Sequence, residues 1–198
     1  MLEKLPPSIG RALHGRRAGL EKSTIARLLM RRRLPSLQVE SRAFGDHQPI
    51  PPVYTADGEG RWPELCWQWL PTGTESLVVI VEDPDAPSLE PLVHAIVVNI
   101  PPNVRSLEDG LLSNGASAGV PTLHMGRNSY LRQTWLPPDP PPGHGPHHYL
   151  FQVFALSLGA AFSAAPGRQE VQEVVGHFAI AAGHAAGVYE RLDSRRKH

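Results

Sequence analysis

Two short segments concentrate side chains that can move protons or hold an anion. Asp83-Pro84-Asp85-Ala86-Pro87 sets two carboxylates among prolines, whose fixed φ makes a rigid turn rather than a floppy loop. His94 follows eleven residues after Asp83. The second segment, 137–149, is built of proline and glycine and carries His144, His147, His148 and Tyr149. His147 and Tyr149 are two apart, so on an extended chain they face the same side. Imidazole N–H groups, a tyrosine hydroxyl and loop amides all donate to phosphate oxygens. A buried carboxylate beside two histidines would orient them and favour their protonated, donating forms.

Both segments lie at the ends of strand-like runs. Leu77–Val81, Ala95–Ile100 and Tyr149–Leu156 are near-continuous apolar runs rich in β-branched or aromatic residues, the pattern of central strands. Leu37–Phe44 alternates roughly by two, and Leu65–Trp69 is a further strand candidate. Between them, residues 101–148 read as long Gly/Pro/Asn-rich loop, a length usual for functional or disordered segments. Ile25, Leu28 and Leu29 follow helical spacing beside Arg27 and Arg31 to Arg33, and Pro35 ends the pattern. Near the C-terminus, Val171, Val174, Val175, Phe178, Ala182, Ala185, Tyr189 and Leu192 predict one amphipathic helix of about 20 residues. It would finish in the basic tail Arg195-Arg196-Lys197, with His177 and His184 packed on one face and His177 alternatively at a pocket edge.

A chain of 198 residues fits one domain plus extra length at an end, large enough to fold without staples. With 21 Pro and 18 Gly, many turns and short strands suit it better than a helical bundle. Cys66 is the single cysteine and cannot form an internal disulfide. That residue, an N-terminus without a secretory pattern and no apolar run of membrane-spanning length make the cytoplasm the expected compartment. The formal net charge of zero hides a split. Residues 1–33 carry nine basic and two acidic side chains, a net of +7, and the remaining body holds −7. Residues 1–35 thus read as a basic, partly helical arm and 36–198 as the domain. The arm's helix is expected to pack on the body, with docking on an anionic membrane through residues 1–33 as the alternative. No nucleic-acid partner is expected.

Asp83-Pro84-Asp85-Ala86-Pro87 with His94 and Val97-Val98-Asn99-Ile100-Pro101 resembles the first signature of the phosphatidylethanolamine-binding protein family, which includes Raf kinase inhibitor protein. Pro138-x-Pro140-Pro141-x-Gly143-x-x-x-His147-x-Tyr149 is similar to the second. Trp62-Pro63-Glu64-Leu65-Cys66-Trp67, Gly126-x-Asn128-Ser129-Tyr130, Gly176-His177-Phe178 and Gly187-Val188-Tyr189-x-Arg191 extend the likeness over roughly 39–192, nearest to the bacterial branch. The resemblance implies a mainly β fold: a Greek-key antiparallel β-sandwich with peripheral helices, including a C-terminal helix, and a small anion pocket near it. It implies ligand contacts from Asp83, His94, Pro138, His147 and Tyr149, a homodimer, and regulation of a kinase or other protein partner. Asp83 would orient the histidines, or meet an ammonium group on the ligand. The chain departs from the family at His148, commonly arginine, at Pro137, usually glycine, and at Trp135, a tyrosine position.

Non-catalytic binding of a phosphate-type or phosphoethanolamine-like ligand is therefore the expected function, with no cofactor. His144, His147 and His148 lack the usual zinc spacings, so no metal site is expected, and His144 and His148 read as loop and outward-facing residues. No nucleophile elbow, phosphate loop or dinucleotide fingerprint is present. Cys66, flanked by apolar residues, reads as a buried inert thiol. The competing readings are a small-molecule hydrolase with His94 or His147 as base, and a membrane-surface protein.

Overall fold

The computed structural model describes residues 7–113 and 123–192, so the basic tail and the first six residues of the arm lie outside the described residues. The chain is mainly β. Strands β1 (Gln38–Ser41), β3 (Leu65–Gln68) and β6 (Ser106–Leu107) form a small antiparallel sheet in the order β1-β3-β6. The larger sheet contains β2 (Gln48–Pro49), β4 (Ser76–Asp83), β5 (Leu92–Ile100), β7 (His124–Met125), β8 (His147–Leu156) and β9 (Ala179–Tyr189). Its order is β2-β9-β8-β4-β5-β7, antiparallel except for the short β2–β9 pair. Three helices complete the described fold: α1 (Pro7–Leu13), α2 (Thr24–Arg31) and α3 (Arg168–Phe178).

The central strands are apolar on both faces because both faces are covered. On β4, Leu77, Val79 and Val81 join Trp67, Leu107, Val97 and Phe151 in the core shared with the small sheet. Val78 and Ile80 point the other way, into a second cluster with Ile25 and Leu28 of α2 and Val171 and Val175 of α3. Ile25 and Leu28 are each 5% exposed. Burying the two contributes about 3–6 kcal/mol before entropy is subtracted, which outweighs the helix's weak intrinsic propensity. The basic helix thus packs on the body.

The last element departs from the predicted 20-residue helix. α3 stops at Phe178, and 179–189 becomes β9, paired along its length with β8 from His147↔Tyr189 to Leu156↔Ala179. Small residues make this segment ambiguous by spacing, and contacts decide it. A Cβ at Gly183 would collide with the Leu37 carbonyl, and one at Gly187 with Ile50 and Phe44. The strand therefore needs glycine where the chain crosses closely, whereas each glycine inside a helix would cost about 1 kcal/mol. His177 and His184 consequently share no helix face. His177, on α3, binds the Glu173 carbonyl at 2.7 Å and faces solvent; His184 lies on β9.

The arm is fastened by a buried carboxylate. Glu82, fully buried on β4, accepts from Thr24 N–H at 2.7 Å, Gln152 Nε2 at 2.8 Å and Arg168 Nε at 2.6 Å. One acidic side chain thus joins the N-terminus of α2, strand β8 and the start of α3. Arg27 and Arg168 both reach Glu90, and Arg32 donates to the Gly176 and His177 carbonyls. Much of the arm's positive charge is therefore spent on the body. Arg168→Ala should lower the unfolding free energy by about 3 kcal/mol, because it strands a buried carboxylate without its counterion. Denaturant titration reads this, and a loss below about 1 kcal/mol would contradict the role assigned to Glu82.

Candidate functional site

Four stretches of chain converge at one end of the large sheet. Asp83 is the last residue of β4, and the turn after it closes when Asp85 N–H donates to Asp83 Oδ1 at 2.8 Å. His94 lies on β5 where the β4–β5 register shifts between Val81↔Ala95 and Glu82↔Val93. Such a bulge re-aims a side chain beside a site. His147 and Tyr149 open β8 and share a face, as their spacing requires. The proline loop is tied to β5 by Leu136 N–H donating to the His94 carbonyl at 2.9 Å. Trp135 donates its indole N–H to the Arg61 carbonyl at 3.1 Å and packs edge-on to Trp62.

Between these stretches is a cavity of about 600 Å3, lined by Asp83, His94, His147 and Tyr149 together with Pro137, Pro140, Pro141, Tyr130, Arg132 and Asp139. Of the five expected ligand residues, four share its wall. Pro138 does not line it; it is buried, and its carbonyl accepts Ala56 N–H at 2.9 Å. Its proline neighbours take the lining positions. Asp139, Tyr130 and Arg132 join the wall without having been picked out as ligand residues, since no periodic pattern marks loop residues that meet through folding. Asp139 is paired with Arg191 Nη1 at 2.6 Å, and Arg191 also grips Asp57.

The charges in the wall are organised in pairs. Asp83 Oδ2 and His147 Nδ1 lie 2.7 Å apart, with side chains only 4% and 1% exposed. The other nitrogen of His147 is occupied by His144 Nδ1 at 2.6 Å, and His144 Nε2 meets the Leu13 carbonyl at 2.8 Å. His144 is a loop residue, as expected, but a fully buried one that supports the wall. His148 is half-exposed, as expected, but its N–H and Nδ1 both lie 2.7 Å from Asp85 Oδ2. Burial raises carboxyl pKa values, yet the bonds from His148 and Arg17 outweigh it and hold Asp85 below the ordinary range. Burial pushes the Tyr149 hydroxyl well above 10, with Asp83 adding to the shift, so it stays a donor.

His94 is different. Its Nδ1 faces the Leu136 carbonyl at 2.6 Å and so carries a proton. Its Nε2 is buried and has no hydrogen-bond partner. Burial holds the ring below the ordinary histidine value of 6.5, with the nearby His147 adding to the effect. The resting ring is neutral, and the unmatched atom is an acceptor. Unmet buried polar groups cost about 1–3 kcal/mol, so this one calls for a partner. Among the described residues, no group of three His, Cys, Asp or Glu has a metal-holding arrangement. Cys66 is buried, and burial followed by the charge of Glu40 raises its thiol pKa, which disfavours the reactive thiolate.

Comparison with known proteins gives the chain's family. The model of the phosphatidylethanolamine-binding protein family matches residues 40–190, and the chain belongs to that family. A UPF0098 protein of Aquifex aeolicus is 36% identical over 157 residues, covering 78% of this chain and 89% of its own length. Among solved structures, a phosphatidylethanolamine-binding protein homologue from Chlamydia trachomatis superposes with a TM-score of 0.69 at 31% identity, covering 79% of this chain and 98% of the other. YbcL of Escherichia coli gives 0.72 at 28%, covering 78% and 98%. These relatives support the bacterial branch and the two-sheet fold.

Burial lowers the pKa of His94 and of His144, so the unfolded chain takes up their protons first as pH falls. Stability should therefore be intact above 6.5 and decline below it, by up to about 1.4 kcal/mol per pH unit for each ring. Denaturant midpoints at pH values on both sides of 6.5 test this, and a His94→Asn variant should show the shallower slope. Equal slopes for both proteins would contradict a neutral His94.

Proposed function

We propose that the cavity binds a small phosphate-type anion, or a phosphoryl headgroup, without transforming it. The observation that carries this is the unpartnered Nε2 of His94, set in a wall that also presents the Tyr149 hydroxyl. A phosphate arriving in its singly protonated form donates its own proton to Nε2 and accepts from tyrosine. A fully ionised phosphate instead draws a proton onto His94, because an anion alongside favours the charged ring. Either route ends with one more proton in the site. Asp83 and Asp139 do not repel the ligand as free charges, since His147 and Arg191 pair with them. Arg132 at the exposed rim adds attraction for the anion.

One observation favours hydrolysis as the second reading: a neutral, unpartnered His94 Nε2 is also what a general base requires. His147 does not qualify, because both its nitrogens are engaged. Turnover of a small ester or phosphate ester that His94→Ala removes would decide for the enzyme.

Calorimetric titration of phosphate and O-phosphoethanolamine, in two buffers of different ionisation enthalpy, tests the binding reading. Saturable binding that strengthens as pH is lowered toward 6 is expected, with about one proton drawn from the buffer where the ligand is fully ionised in solution and none where it is already singly protonated. His94→Ala should weaken it at least about tenfold, the value of a charge-assisted hydrogen bond. Absence of heat with both compounds, or binding untouched by His94→Ala, would refute the reading.

A further inference from the structure

The family match begins at residue 40, yet the support of the cavity wall begins well before it. Segment 8–22 runs across the ends of both chemistry-bearing segments. Ala18 N–H donates to the Ala86 carbonyl at 3.0 Å and Gly19 N–H to that of Pro84 at 2.9 Å. Arg17 pairs with Asp85 at 2.5 Å and donates to the Pro146 carbonyl at 3.0 Å. Gly10 lies so close to the Pro142 carbonyl that a side chain there would collide. At the end of α1, the Leu13 carbonyl meets His144 Nε2 at 2.8 Å.

That last contact fixes a tautomer. A carbonyl oxygen only accepts, so His144 must carry its proton on Nε2, which leaves Nδ1 as an acceptor. Nδ1 lies 2.6 Å from His147 Nε2, and two bare lone pairs do not approach so closely. The intervening proton is therefore on His147 Nε2. The Nδ1 of the same ring lies 2.7 Å from Asp83 Oδ2, close enough that one proton is shared between them. The Nε2 proton of His147 is thus held in place from the arm. Burial, then the charge of His147, lowers the His144 pKa and keeps that proton off His144. The other groups facing the pair are Arg17, the His14 ring at 6.4 Å from His144, and Tyr149 at 6.4 Å from His147.

We propose that the N-terminal segment is a working part of the ligand site: Leu13 acting through His144, and Arg17 acting through Asp85, are positioning groups that fix the Nε2 proton of His147 and the orientation of that ring in the cavity wall. Its consequence for affinity rests on the anion-binding reading given above; its consequence for the protonation of His147 does not. The two can therefore fail separately.

The test uses the full chain. Imidazole nitrogen shifts measured by NMR at neutral pH should show His147 Nε2 protonated in the unaltered protein. His144→Leu, which offers no acceptor, should release the Nε2 proton. His144→Asn, whose Oδ1 can stand in for Nδ1, should retain it. Phosphate affinity should fall about tenfold in His144→Leu and in Arg17→Ala, as expected for loss of a charge-assisted contact. His144→Asn and Arg17→Lys should recover most of it, which a loss through misfolding would not. A bare Nε2 on His147 in the unaltered protein overturns the proposal without need of any variant. So does a His144→Leu protein with unchanged His147 shifts and affinity. If the unaltered protein binds no phosphate, the anion reading falls alone and the nitrogen shifts still decide this one.

Discussion

A carboxylate and an imidazole buried 2.7 Å apart, Asp83 at the end of β4 and His147 at the start of β8, form the interaction around which the rest is arranged. Removing two charges from water is costly, and mutual attraction offsets it only when every remaining hydrogen-bonding position is filled. Here the filling is done from three directions. The Asp85 N–H takes the second oxygen of Asp83, His144 takes the second nitrogen of His147, and the Leu13 carbonyl takes the far side of His144. The rigid Asp-Pro-Asp turn, the Gly/Pro segment ahead of β8 and the N-terminal arm are each needed for one of these contacts. Shifting the β4–β8 register by one residue would turn one of the two side chains to the opposite face and leave each without the other.

This arrangement also divides labour among the histidines. His147 is saturated by protein partners, Asp83 on one nitrogen and His144 on the other. His148 serves the turn through Asp85. Among the described residues, His94 Nε2 is the buried side-chain atom left without a partner, and the binding proposal rests on it. Acidic residues in an anion site would be a contradiction if they were free. They are compatible with one because Asp83 and Asp139 are each paired within the wall.

Much of the frame was legible in the residues themselves. Apolar runs such as Leu77–Val81 announced strands covered on both faces, and the helical spacing of Ile25 and Leu28 announced the arm's packing helix. The His147–Tyr149 spacing placed both side chains on one face, and the family signatures brought Asp83 and His94 to them. What failed has physical causes. Residues 179–189 are alanine and glycine in large part, so their spacing fits a helix as well as a strand, and only the approach of Leu37 and Ile50 selects the strand. Pro138 came from the family signature, and it is its proline neighbours that line the cavity. The roles of His144, Asp139 and Arg17 could not be read from the sequence because they arise from contacts between distant segments, such as the 131-residue separation of His144 from Leu13.

The central claim is that His94 Nε2 is the atom that receives the ligand. A crystal structure of the protein grown with O-phosphoethanolamine tests it most directly. The account predicts a phosphoryl oxygen within hydrogen-bond distance of both His94 Nε2 and the Tyr149 hydroxyl, with the Asp83–His147 pair unmoved. A phosphoryl group bound elsewhere, with His94 Nε2 satisfied by a protein group, would contradict it.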